Sequence, residues 1–166
     1  MRGRILAVLA MATGLAVEAS AQTQIPNPDA AYTSSTTLLP ITVDPGSTFG
    51  SVSGGGWTLT FSSDLTREDA PGGGWATWSC DPYSERPCDS STLPVGTLGS
   101  NTITMTLSSA AQTFGFEAEP NIYATEDMLV EFYLGATPVY SFDQFVNGDT
   151  GARLFALTGA SFDKIV

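Results

Sequence analysis

The chain has 166 residues, a formal net charge of −11, two cysteines and no histidine. That length is enough for one domain with its own core, and the acidic balance repels phosphate backbones and anionic membranes, which argues against nucleic acid as a partner. Without histidine no Ser-His-Asp or Cys-His arrangement can be built, and no G-x-S-x-G elbow occurs, so any catalysis would fall to carboxylates.

Met1 to Ala21 reads as a secretory signal peptide, with Arg2 and Arg4 ahead of an apolar stretch from Ile5 to Val17 and a small-x-small cleavage site at Ala19-Ser20-Ala21. The apolar stretch is too short to span a bilayer, and nothing after it approaches about 20 consecutive apolar residues. A secreted, monomeric product with no membrane span is therefore expected. Cleavage removes Arg2, Arg4 and Glu18 and leaves four basic residues against sixteen acids, a formal net charge of −12. Neutral glycans and divalent cations remain compatible with such a surface, as does acidity kept for solubility alone.

Residues 22–46 read as a loose lead-in, polar and rich in proline at the start, and residues 47–166 as the folded domain. From there period-two patterns alternate with turn residues. "WTLTFS" places Trp57, Leu59 and Phe61 on one face of a strand, and "TITMTL" does the same with Ile103, Met105 and Leu107. "MLVEFYL" puts Met128, Val130, Phe132 and Leu134 inside, with Glu131 and Tyr133 outside. Shorter candidate strands are "WATWS" (75–79), "VYSF" (139–142), "ARLFAL" (152–157) and "FDKIV" (162–166). Threonine and aromatic enrichment between Gly, Pro, Asn and Asp supports strands, and no amphipathic helix is evident after the signal. Eight or nine short strands predict an all-β, antiparallel, jelly-roll-like sandwich. GGGW occurs at Gly54 to Trp57 and again at Gly72 to Trp75, a spacing that suggests a repeated hairpin; no lysine follows, so neither copy is a phosphate loop.

Between the first two long strands, "GGGWATWSCDPYSERPC" gathers Trp75, Trp78 and Tyr83 around Cys80 and Cys88. In an exported chain two cysteines this close read first as a disulfide, which would stabilise the fold by roughly 2–3 kcal/mol. A zinc site would be short of ligands. Sugar rings pack on exposed aromatic faces, and a stapled loop would hold Trp75, Trp78 and Tyr83 ready for such contacts. The competing reading places one tryptophan in the core and the other over an edge.

In "TFGFEAE", a strand would set Phe114, Phe116 and Ala118 on the core face and Gly115, Glu117 and Glu119 on a solvated face. Residues two apart on a strand lie roughly 6.7 Å apart, within the inverting-glycosidase window of about 6.5–9.5 Å. A solvated face offers little to raise a carboxyl pKa, however, and E-x-D-x-x-E is absent, so no catalytic residue is assigned. If residues 112–119 and 128–134 form a hairpin, Glu131 joins Glu117 and Glu119 on one face. Water screening, Arg153 or Ca²⁺ would then relieve the repulsion, and these three glutamates are the candidate calcium ligands. "NGDTG" (147–151) reads first as a turn and second as a calcium loop with Asp143, Asn147 and Asp149.

"WATWSCDP", "TFGFEAEPN" and "VNGDTGARLFALTGASFDKIV" together resemble a group of secreted bacterial β-sandwich proteins found among those with a PEP-CTERM sorting tail. The resemblance covers roughly residues 47–166 and implies export, a jelly-roll-like sandwich and a role at the cell surface or in the extracellular matrix. It supplies no catalytic residues. The PEP motif, membrane helix and basic tail of that sorting signal do not occur in the sequence, so anchoring is not inferred. Because the chain ends inside "FDKIV", either a truncated reading frame or an unpaired edge at 162–166 is expected. Three functions follow in order: a non-catalytic module that binds polysaccharide or a cell-surface polymer, a structural matrix protein without a small ligand, and a glycoside hydrolase using Glu117 and Glu119.

Overall fold

The computed structural model describes residues 21–70 and 93–166. Among them the elements run β1 (Thr23–Ile25), α1 (Ala30–Ser35), β2 (Thr48–Gly54), β3 (Trp57–Ala70), β4 (Leu93–Thr97), β5 (Met105–Ala118), β6 (Thr125–Leu134), β7 (Thr137–Asn147) and β8 (Arg153–Ile165). The fold is all-β and antiparallel, as the period-two patterns require. Neighbouring strands follow the order β2-β3-β5-β8-β6-β7, with β1 added to β8 and β4 to β3. Residues 1–20 of the expected signal peptide lie outside the described residues, as does the segment carrying Trp75, Trp78, Cys80, Tyr83 and Cys88. Among the described residues no helix is long and apolar enough to cross a membrane.

Alternation translates directly into burial. Leu59, Met105, Leu107, Val130 and Phe132 are core residues, and Trp57, Phe61, Ile103 and Met128 pack against them. The first GGGW copy is a tight hairpin: Gly54 pairs with Trp57 across Gly55 and Gly56, whose φ angles of 57° and 85° suit glycine. Leu134, expected inside, is 44% exposed. The β6–β7 register slips between Phe132 and Tyr133, and Leu134 ends at the hairpin mouth opposite Thr137.

Several strands are longer than the sequence pattern suggests, and their bends create the two layers. β8 joins the expected "ARLFAL" and "FDKIV" strands into one element of 13 residues. Its first half pairs with β5 and β1, whereas its last residues pair with β5 and β6. The change of neighbour falls around Gly159, which has φ +92°. On β5 the register jumps from Thr106 opposite Lys164 to Ala111 opposite Phe162, so extra residues bulge and turn the strand. The sheet thereby folds over a column of aromatic rings. Phe116 stacks on Phe155 at 5.5 Å, Phe155 on Phe142 at 6.1 Å, Phe142 on Phe132 at 6.1 Å, and Phe132 meets Phe162 edge-on at 4.9 Å. Phe132, Phe155 and Phe162 are fully buried, each contributing about 1.5–3 kcal/mol through area removed from water.

Two expectations are corrected. The lead-in is not loose: β1 pairs with β8, and α1 starts at Asp29, whose carboxylate accepts the Tyr32 N–H at 2.8 Å, a cap that stabilises a helix by about 1 kcal/mol. Tyr32 and Ile25 cover Leu154 and Ala156, while Leu39, Ile41 and Val43 pack on the main core. The Val43 carbonyl accepts from the Arg67 guanidinium, which also pairs with Asp69 at 3.0 Å. Nor is 162–166 an unpaired edge. Ile165 is fully buried between Met105 and Phe132, and Val166 exchanges two backbone hydrogen bonds of 2.9 Å with Glu131.

Candidate functional site

The three glutamates do not come together. β8 lies between β5 and β6, so the 112–119 and 128–134 segments are not a hairpin, and Glu131 sits away from Glu117 and Glu119. Among the described residues no group of three or more acidic, cysteine or histidine side chains is placed to hold a metal ion. The solvated face expected for Glu117 and Glu119 is also corrected. Glu117 lies opposite Leu154 and Gly115 opposite Ala156, on the face that Tyr32 covers. Glu119 is only 9% exposed. The cover fits because Gly115 has no side chain: a Cβ there would lie 2.6 Å from the Tyr32 hydroxyl. A carboxylate that is to protonate a glycosidic oxygen must reach it, and burial denies a polymer access to Glu119.

Asn147 and Asp149 form a turn, as composition indicated. The Asn147 side-chain oxygen accepts the Asp149 N–H at 2.9 Å, and its carbonyl accepts the Thr150 N–H at 3.0 Å. A cleft of about 230 Å³ lies between residues 40–43 and β2, lined by Ile41, Thr42, Val43, Phe49, Ser51 and Ser53 among others. It contains hydroxyls and backbone but no titratable side chain, so it offers packing rather than acid–base chemistry.

The outer face of the β6–β7 hairpin is different in character. Asp127 lies opposite Phe145, Leu129 opposite Asp143, and Glu131 opposite Ser141. Phe145 is 69% exposed and Leu129 61%, at positions where an outward strand face is normally polar. They are diagonal neighbours, about 7–8 Å apart, and Asp127 and Asp143 occupy the opposite diagonal. Among the described strands β7 is the last of the sheet order, so no described strand lies beyond this face's margin. Tyr123 and Ile122, exposed at 81% and 45%, precede β6 on the same end of the chain's hairpin. Sequence reading missed this set, although the signal was present: Phe142 and Phe145 are three apart on one strand and cannot share a face.

Further along the same face, the Tyr133 hydroxyl donates to Glu131 at 3.0 Å, and the Lys164 ammonium lies 4.3 Å from the Tyr133 ring centre. The hydrogen bond to Glu131, then desolvation, then the carboxylate charge hold the Tyr133 phenol above its ordinary ionisation range. Replacing Glu131 by Gln is expected to move ionisation of the Tyr133 phenol to lower pH in a phenolate absorbance titration compared with a Tyr133→Phe control. An unchanged tyrosine titration would show that Glu131 does not control it.

Comparison of the chain with protein-family models, with curated proteins and with solved structures gives no match, so the functional reading rests on the residues and their arrangement.

Proposed function

We propose that the protein is an exported, non-catalytic β-sandwich that holds a glycan or other surface polymer on the outer face of the β6–β7 hairpin. The observation that carries this reading is the exposure of Phe145 and Leu129 on an open sheet face bordered by carboxylates. The hydrogen-lined face of a sugar ring packs on such apolar groups, while ring hydroxyls reach the neighbouring Asp127 and Asp143 oxygens. A flat, open face suits an extended chain better than a small ligand, which needs a concave pocket. Trp75, Trp78 and Tyr83 are proposed as a second contact surface on the same chemical grounds.

The test is co-sedimentation of the protein with a panel of insoluble polysaccharides. Phe145→Ala is expected to weaken capture about tenfold, equivalent to about 1.4 kcal/mol, and to leave the melting curve unchanged because the ring is mostly in solvent. Failure of every polysaccharide to retain the wild-type protein would overturn the reading and favour a structural matrix role.

A further inference from the structure

We infer that the polymer recognised by the β6–β7 face carries free protonated amines, as an un-acetylated amino-sugar polysaccharide does. This inference rests on the reading of that face as a glycan site and goes on to name the chemistry of the glycan. The four side chains form a checkerboard: Phe145 and Leu129 on one diagonal, Asp127 and Asp143 on the other. Both aspartates are exposed, and neither has a side-chain hydrogen bond or ion pair among the described residues. The cation on the same face, Lys164, is opposite Tyr133, six residues along β6 from Asp127 and so about 20 Å away. The apolar pair is thus bordered by two carboxylates that no described residue pairs with.

That combination selects among ligands. Polyanionic glycans are repelled by the face and by the whole chain, which has a formal net charge of −11. Two diagonal carboxylates fall short of the six to eight oxygens that Ca²⁺ takes. A polycationic peptide would satisfy the charges but has no flat ring to lay on Phe145 and Leu129. An amino-sugar chain supplies both parts, a ring face for the apolar diagonal and an ammonium for each carboxylate. Single exposed ion pairs are weak, but a repeating polymer presents the same pair many times, and the effective concentration of the next amine raises the total affinity.

The experiment is affinity electrophoresis of the protein in gels containing a soluble β-linked glucosamine polymer, its N-acetylated form, or polylysine, at a pH where amines are protonated and aspartates ionised. The glucosamine polymer is expected to retard the protein at least about tenfold more strongly than the N-acetylated form, with the effect falling at high salt as the ion pairs are screened. Asp127→Asn/Asp143→Asn and Phe145→Ala should each lose most of that retardation. Asp44→Asn/Asp64→Asn, which changes the net charge equally at two exposed positions on the β2–β3 side, should keep it.

Equal retardation by both sugar polymers would overturn the amine requirement while leaving the glycan reading in place. Equal loss in the two double variants, or retardation by polylysine that Phe145→Ala does not alter, would reduce the effect to net charge and also overturn it. Retardation by neither sugar polymer would overturn the inference. The glycan reading would still be judged separately, by the sedimentation panel.

Discussion

Phe155→Ala is expected to destabilise the fold by about 3–5 kcal/mol, a large part of the roughly 5–15 kcal/mol typical of a domain. The ring has no solvent exposure and is clasped between Phe116 at 5.5 Å and Phe142 at 6.1 Å, with interplanar angles of 14° and 15°. Truncation removes the transfer free energy of the ring, leaves a cavity that long strands can close only partly, and deletes both stacking contacts. Urea unfolding followed by far-UV circular dichroism should show the midpoint falling by about 2 M, for a slope near 2 kcal/mol per M. A loss below about 1 kcal/mol would mean that the aromatic column does not join the two layers. Phe145→Ala, the same chemical change at a ring that is 69% exposed, should stay within about 0.5 kcal/mol of wild type.

Gly115→Val is expected to free the N-terminal segment. A Cβ at this position would lie 2.5 Å from the Ala156 Cβ and 2.6 Å from the Tyr32 hydroxyl, closer than the 3.0 Å that real Cβ contacts respect. Ala156 is held by its place in the β5–β8 ladder. Tyr32 stands on a helix of six residues, tied down by an Asp29 cap and by the three pairs of β1, so Tyr32 is the group that moves. The overpacking should cost about 1–3 kcal/mol. Limited proteolysis within residues 21–46 should become markedly faster, because β1 and α1 lose their anchor while the rest of the sheet keeps its pairing. Tyr32→Ala provides the same release without overpacking. If the segment is cut no faster in either variant, Tyr32 does not hold it.

The strands themselves were legible because alternation is a local property. Trp57, Leu59 and Phe61, Met105 and Leu107, and Val130 and Phe132 turn to the core as their period-two spacing dictates. What alternation leaves open is which strand lies alongside. A hairpin between β5 and β6 was the simplest arrangement in sequence, but β8 enters between them. That insertion separates Glu131 from Glu117 and pairs the 162–166 segment on both sides. A clue was present in "RLFAL", whose unbroken apolar run suits a strand buried on both faces better than one with a wet side.

The candidate site divides along the same line. Placing Glu117 and Gly115 on one face and Phe116 on the other needed only the pleat, and the tertiary structure keeps that division. Whether the first face meets water depended on residues some 80 positions earlier in the chain, where Tyr32 finds the space over Gly115. In the same way, the spacing of Phe142 and Phe145 forces one of them outward, and the tertiary structure buries Phe142 in the core and exposes Phe145. The sequence by itself determined the all-β class, the facing of the main strands and the acidic charge, because these follow from composition and from the two-residue pleat. Only the tertiary structure decided which faces are covered and which carboxylates meet, because those depend on contacts between segments far apart in the chain.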